Sequence, residues 1–198
     1  MNYQAHPQDS HQAQNLQMCS TPTQQDYAEL TQVNDQSTFK IGSFNVQGLK
    51  KGGKLEALCL WGGEKGYDII ALQETNMDNG GKIAASYIKQ EYYKMWWVNG
   101  KEGSTRGTGV GLLMSNRWAQ HAGRISTCGS RGQSRDFNFK GRLKVRVINC
   151  YIPSEGKGKG KEISDLTKWI KDEYTNAKSE RRQVVLLGDF NAVCNPKL

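Results

Sequence analysis

Long apolar runs are absent from this chain of 198 residues. Its longest stretches, such as Val184-Val185-Leu186-Leu187, reach four or five residues, whereas a bilayer-spanning helix needs about twenty. Cysteine is sparse: Cys19, Cys59, Cys128, Cys150 and Cys194 are scattered, odd in number and without a C-x-x-C spacing. That argues against a disulfide framework or a zinc cluster and suits a reducing, intracellular compartment. Histidine occurs only as His6, His11 and His121. No basic segment followed by an apolar one opens the chain, so nothing reads as a secretory signal.

Lysine and arginine are missing altogether from residues 1–37, which hold Asp9, Asp26, Glu29, Asp35 and nine Gln. Such a segment lacks the apolar residues to order itself, and a disordered Gln-rich tail is expected. A transit peptide would carry Arg. The whole chain has 27 Lys+Arg against 19 Asp+Glu. Setting aside the four acids of the tail leaves 27 bases against 15 acids, or +12, on residues 38–198. One domain beginning near Thr38 is expected. Its cationic surplus points either to a polyanionic partner or to a plain soluble surface.

The body alternates strand-like and helix-like segments. Phe39 to Asn45 has period two, and Tyr67 to Gln73 is a short apolar run suited to a strand covered on both faces. Between them Leu55, Leu58 and Cys59 share a helical face that Gly62-Gly63 is expected to end. Ile83, Ala84, Tyr87 and Ile88 mark a second helix. Tyr92 to Val98 and Gly109 to Met114 read as strands, and Leu143 to Tyr151 sets Leu143, Val145 and Val147 against Lys144 and Arg146. Ile163, Leu166, Ile170 and Tyr174 give an amphipathic helix before a buried strand at Val184–Leu187. This succession is α/β, with helices covering sheet faces.

Three apolar strands end in a carboxylate or carboxamide: at Asn45, at Gln73-Glu74, and at Gly188-Asp189-Phe190-Asn191. Functional groups in α/β sheets gather beyond the carboxyl ends of strands. Acids placed there are costly if buried alone, and a cation can neutralise them. Oxygen ligands from Glu74, Asp189, Asn45 and Asn191 suit Mg²⁺ or Mn²⁺ rather than zinc. Gly188 permits the tight backbone that presents Asp189 and Asn191 together. Solvated turns are the competing reading for Glu74 or Asn45 taken singly.

Taken in order, Ser43-Phe-Asn-Val-Gln-Gly-Leu49, Asp68-Ile-Ile-Ala-Leu-Gln-Glu-Thr75, Gly109-Val-Gly-Leu-Leu-Met-Ser115, Ile148-Asn-Cys-Tyr-Ile-Pro153 and Leu187-Gly-Asp-Phe-Asn191 resemble the endonuclease/exonuclease/phosphatase superfamily. The nearest likeness is the AP-endonuclease-like domain of non-LTR (LINE-type) retrotransposon polyproteins, over about residues 39–195. The resemblance implies a two-sheet β-sandwich flanked by helices, a four-layer αββα fold, and metal-dependent phosphoester hydrolysis. It places Asn45 and Glu74 at metal and phosphate positions, Glu74 being the principal ligand of Mg²⁺ (or Mn²⁺). Tyr151 would contact the scissile phosphate or orient its neighbours. Asp189 would orient or deprotonate the attacking water, and Asn191 would hydrogen-bond the phosphate in the transition state. DNA is the implied substrate, and the nucleus a plausible location, although no run of five basic residues marks it.

The resemblance also implies a later Asp and a Ser-Asp-His-type motif, and none of the three histidines matches them. A C-terminally truncated domain with an incomplete second half is therefore expected. Losing a general acid–base partner costs roughly two to four orders of magnitude in rate. The implied partners are the missing half or a reverse-transcriptase portion of a parent polyprotein. A phosphatase or small-molecule phosphodiesterase, and a non-catalytic nucleic-acid-binding remnant, stay open beside the DNA endonuclease.

Other signals are weaker. Gly156-Lys-Gly-Lys-Gly-Lys161 is not a P-loop, because its glycines are too close and Glu162 stands where Ser/Thr would bind Mg²⁺. As a surface loop it would let Lys157 and Lys159 touch a phosphate backbone. Trp96-Trp97 beside Lys101 and Arg106 could stack bases, but adjacent strand residues face opposite ways, which puts one Trp in the core. Arg131 and Arg135 could contact phosphates from what otherwise reads as a solvated loop.

Overall fold

The computed structural model describes residues 38–78, 92–100, 106–154 and 158–191. The expected tail over 1–37, the helix expected around Ile83–Ile88, and Lys101 and Lys157 lie outside them. Residues Phe39–Leu198 form one compact unit.

The short apolar runs become central strands. β2 (Ile69–Gln73), buried at all five residues, pairs in parallel with β1 (Ile41–Asn45) and antiparallel with β4 (Val110–Ser115). β4 in turn pairs antiparallel with β3 (Tyr93–Val98), giving the order β1-β2-β4-β3. The second sheet runs β5 (Ala122–Cys128), β6 (Gly132–Asn138), β7 (Lys144–Tyr151), β8 (Gln183–Asp189), with β7 and β8 parallel and the other pairs antiparallel. Ile69, Ala71, Leu112 and Met114 pack against Trp118, Phe137, Val145 and Val147 between the sheets. Each buried side chain of this kind contributes about 1.5–3 kcal/mol. α1 (Lys54–Glu64) seats Leu55 and Cys59 on the outer face of the first sheet beside Ile70 and Tyr93. A single helical turn, α2 (Asn116–Ala119), follows β4, and α3 (Gly160–Ser179) covers the outer face of the second sheet. The result is two mixed four-stranded sheets flanked by helices. Among the described residues no helix is long and apolar enough to cross a membrane.

Three local expectations are corrected. α1 does not stop at Gly62-Gly63 but runs through them. A β-carbon at Gly62 would lie 2.5 Å from Ile70 Cδ1, and one at Gly63 would lie 2.7 Å from the Tyr92 ring, so both glycines serve close packing. Gly66 (φ 67°) ends the helix instead, with Tyr67 N–H donating to the Gly62 carbonyl and Gly66 N–H to that of Gly63. Arg131 and Arg135, read as part of a solvated loop, belong instead to a β-hairpin over residues 122–138. The buried side chains of β6 include Gln133, Ser134 and Asp136, so the apolar alternation that announces a strand is missing. The strand at Val184–Leu187 is not buried on both faces. It lies at the edge of its sheet, with Leu186 exposed.

Arg146, on the face of β7 opposite Val145 and Val147 as expected, is fully buried under α3. Its Nε and Nη2 donate to Asp136 at 2.6 and 2.9 Å, and its Nη1 donates to the Glu173 carbonyl at 3.1 Å. Arg124 grips the Glu173 carboxylate with two bonds of 2.9 Å, and Ser134 Oγ donates to it at 2.8 Å. Glu173 thus takes an inward position on α3, while Tyr174 stays exposed. Burial raises the Glu173 pKa, but the hydrogen bonds from Arg124, Ser134 and Ser126 outweigh it and bring the group down to about 2.

A carboxylate whose folded pKa is depressed stabilises the fold above its unfolded pKa and loses that contribution as pH falls through the folded one. Thermal melts should therefore show stability declining from pH 4.5 towards about 2. Glu173→Gln should flatten that decline and cost roughly 3 kcal/mol at neutral pH, because buried Arg146 loses part of its counter-charge.

Candidate active site

Each sheet contains one parallel pair, and both pairs finish at the same pole. β1 and β2 end with Asn45 opposite Gln73, so Glu74 follows immediately. β7 and β8 end with Tyr151 opposite Asp189. Asn45 Nδ2 donates to Glu74 Oε1 and to Asp189 Oδ2, each at 2.9 Å. The amide thereby joins two carboxylates from different sheets. Its Oδ1 accepts the Gln47 N–H at 3.1 Å, which sets the direction of the carboxamide. The Tyr151 hydroxyl donates to Glu74. Asn191 donates its backbone N–H to Asp189 Oδ1 at 3.0 Å and its Nδ2 to the Ile152 carbonyl at 2.8 Å. Asn45, Glu74, Tyr151, Asp189 and Asn191 therefore form one cluster.

The backbone is bent to make it. A β-carbon at Gly188 would lie 2.2 Å from the Cys150 carbonyl oxygen, so only glycine lets β8 run this close to β7 just before Asp189. Among the described residues six non-glycines have positive φ, and four of them ring the cluster: Gln47 (48°), Glu74 (51°), Asn76 (53°) and Asn191 (42°). Such conformations cost about 1 kcal/mol or more each and persist where neighbouring bonds over-determine them. Here Gly48 N–H donates to the Glu74 carbonyl at 2.7 Å, Leu49 N–H to Thr75 at 2.9 Å, and Ile152 N–H to Asp189 at 2.9 Å.

Beneath lies a buried polar floor that sequence reasoning missed. Asn149 Nδ2 donates across the sandwich to the carbonyls of Leu72 (3.0 Å) and Gly111 (2.9 Å). Its Oδ1 accepts Gln73 Nε2 at 2.7 Å, and the Gln73 amide also bonds Ser43 Oγ. Asn149 is two residues from Tyr151 and Gln73 is next to Glu74, so this pair fixes one sheet's strand ends against the other's. The available signal was an amide inside Val145-Arg-Val-Ile-Asn-Cys-Tyr151, where an unpartnered polar group would be costly.

The model of the endonuclease/exonuclease/phosphatase family matches residues 42–197. The chain belongs to that family. No curated protein matches it. Among solved structures it is similar to the catalytic domain of Xenopus laevis APE2 at 17% identity and TM-score 0.57, covering 80% of this chain and 60% of that one. It is also similar to truncated Caenorhabditis elegans TDP2 at 18% and 0.56, covering 77% and 62%. The AP endonuclease LMAP from Leishmania major aligns at 14% and 0.52, covering 66% and 45%. At such identities the likeness concerns the fold alone. The chain spans about half to two thirds of the length of these structures.

Within this family fold the other expected contacts are distributed unevenly. Arg131 lies over the Tyr151 ring, 5.1 Å from its centroid, donates to the Gly107 carbonyl at 2.9 Å and pairs with Glu162 at 2.6 Å. Arg106, exposed, precedes Gly107 in the same turn. Lys159 reaches the Ser154 carbonyl at 3.4 Å, beyond the end of β7. Arg135 does not join them. It stacks on Trp96, 4.8 Å from the ring centroid, and burial lowers its pKa. Trp96 and Trp97 pack into different apolar clusters, on opposite faces of β3.

Burial, then the hydrogen bond to Glu74 and its charge, push the Tyr151 phenol up from 10.0 to about 12. The hydroxyl thus stays protonated at neutral pH. In a spectrophotometric titration Tyr151 should ionise late, and Glu74→Gln should bring it back towards 10.0. Its stabilising contribution is complete below the unfolded pKa and lost as pH rises between the two values. Asn149→Ala leaves the Leu72 and Gly111 carbonyls and the Gln73 amide without this partner. Urea unfolding should register a loss of roughly 3 kcal/mol or more.

Proposed function

We propose that the chain is a divalent-metal-dependent phosphodiester hydrolase domain acting on DNA, of the endonuclease type and of LINE-type retrotransposon descent. The observation that supports this most directly is the Asn45 amide holding the carboxylates of Glu74 and Asp189 together. Among the described residues no lysine or arginine forms an ion pair with either carboxylate. Two uncompensated carboxylates are hard oxygen donors of the kind that fit Mg²⁺ or Mn²⁺. Glu74, with Asn45, would hold the ion, which when bound neutralises charge on the phosphoryl and leaving oxygens.

The chain's own groups account for water activation and for binding the phosphate. Asp189, fixed by Asn45 and by the Asn191 N–H, would orient a water and accept its proton. Asn191 has a second amide N–H for a phosphoryl oxygen, and neutral Tyr151 presents a phenolic O–H beside Glu74. Donors fixed before the reaction lower the barrier because they need no reorganisation as charge develops. Among the described residues no histidine reaches this cluster, since His121 stacks on Phe139. The proton for the leaving oxygen is assigned to a complementing polypeptide, the rest of a parent polyprotein, which would add strands beside β1 and β8, edge strands among the described residues.

The +12 body, with Arg106, Arg131 and Lys159 near the cluster, supports a polynucleotide rather than a small phosphoester. Similarity to two AP endonucleases favours DNA. Plasmid nicking in Mg²⁺ should disappear with EDTA and fall at least about 100-fold in Glu74→Ala and Asp189→Asn. Nicking that survives both substitutions would sink the proposal. Hydrolysis of small phosphoesters with no nicking would instead identify a phosphatase.

A further inference from the structure

The strand ends remote from the active site build a second pole of different character. Phe39 meets Trp118 edge-on with centroids 5.0 Å apart, Trp118 meets Phe139 at 4.7 Å, and His121 lies against Phe139 at 4.7 Å. Backbone bonds tie these rings to the turn that leads into β7. Asn138 N–H donates to the His121 carbonyl at 3.0 Å, and Phe139 N–H to that of Leu143 at 2.9 Å. Phe39 and Leu143 each keep 43% of their surface exposed. The turn carries Lys140, Arg142 and Lys144, all exposed, on a backbone whose Gly141 and Arg142 are both left-handed (φ 74° and 69°).

Other cations here have local reasons to be present. Asp68 holds Arg117 with bonds of 2.5 and 2.8 Å. Lys65 and Arg181 follow the C-termini of α1 and α3, where helix carbonyls favour positive charge. Lys140, Arg142 and Lys144 have no such reason: among the described residues none of them is in an ion pair. Three uncompensated charges thus flank an exposed aromatic edge. The eight residues of β7, at about 3.3 Å each, put this turn roughly 26 Å from Tyr151. A phosphate bound here is not the one undergoing hydrolysis.

We infer that this pole is a second nucleic-acid surface that binds a single strand, with Lys140, Arg142 and Lys144 on the phosphates and Phe39, at the rim of the ring stack, under a base. Cations beside an exposed ring match a polynucleotide, which offers both charge and flat faces. An acidic peptide offers only the charge. The surface anchors a strand without metal and without Glu74, so it stands apart from the hydrolytic reading.

Anisotropy of labelled oligothymidine with the whole chain, in EDTA and between about 50 and 200 mM salt, tests this. The triple variant Lys140→Glu, Arg142→Glu, Lys144→Glu should weaken binding at least about tenfold and reduce the log–log salt slope by about two. Phe39→Ala should weaken it at least about fivefold with the slope unchanged. A charge-reversed control on the exposed side of α3, Lys168→Glu with Lys171→Glu, should stay within about twofold of wild type. Circular dichroism checks that each variant keeps its sheets. No oligothymidine binding by wild type, unchanged binding in the triple variant, or equal loss in the α3 control overturns the inference. Equal competition by polyglutamate would mark an acidic-protein surface and also overturn it. Failure of the hydrolytic reading would appear separately, in plasmid nicking.

Discussion

One side-chain amide joins the two sheets' functional ends. Asn45 donates one N–H to Glu74 and the other to Asp189, and so holds two like charges close without an intervening ion pair. Such an arrangement is electrostatically unfavourable unless something in the site uses the negative potential. The left-handed backbone at Gln47, Glu74, Asn76 and Asn191 concentrates strain at the same place. Both features cost stability locally, and the surrounding layers must supply it.

They do so in two ways. Between the sheets the apolar cluster around Ile69, Leu112, Phe137 and Val147 holds the sandwich shut. Directly under the cluster Asn149 replaces that apolar contact with bonds to Leu72, Gly111 and Gln73. Directional bonds set register where hydrophobic contact does not, and register decides whether Glu74 and Tyr151 can meet. On the far side of the second sheet the buried group of Arg146, Asp136 and Glu173, gripped from outside by exposed Arg124, fixes α3 in the same manner. Breaking such a group by removing one member is far more damaging than replacing it whole.

The domain is polar along its strands. Its two parallel pairs bring carboxylates and amides to one end, while the turn before β7 and the Phe39–Trp118–Phe139 stack put cations and rings at the other. The carboxylate cluster and the unpaired cations of that turn are thereby kept a strand length apart. A cation beside Glu74 and Asp189 would compete for the carboxylates that the proposed metal needs.

Much of this was legible in the sequence. The apolar runs at Ile69–Gln73 and Val110–Ser115, the helix from Leu55 and the strand-terminal Asn45, Glu74 and Asp189 follow from periodicity and from the cost of burying charge. Gly188 before Asp189 was legible too, because close backbone approach tolerates no β-carbon. Tertiary structure alone decided the rest. Gly62-Gly63 could signal a helix end or close packing, and only Ile70 and Tyr92 settle which. The β5–β6 hairpin, buried Arg146 and the Asn149 floor are polar segments inside the fold, and a polar residue shows its partner only when residues distant in sequence are brought beside it. Composition and spacing record what a side chain is. What it bonds to depends on the packing of the two sheets, and that is where the cluster was made.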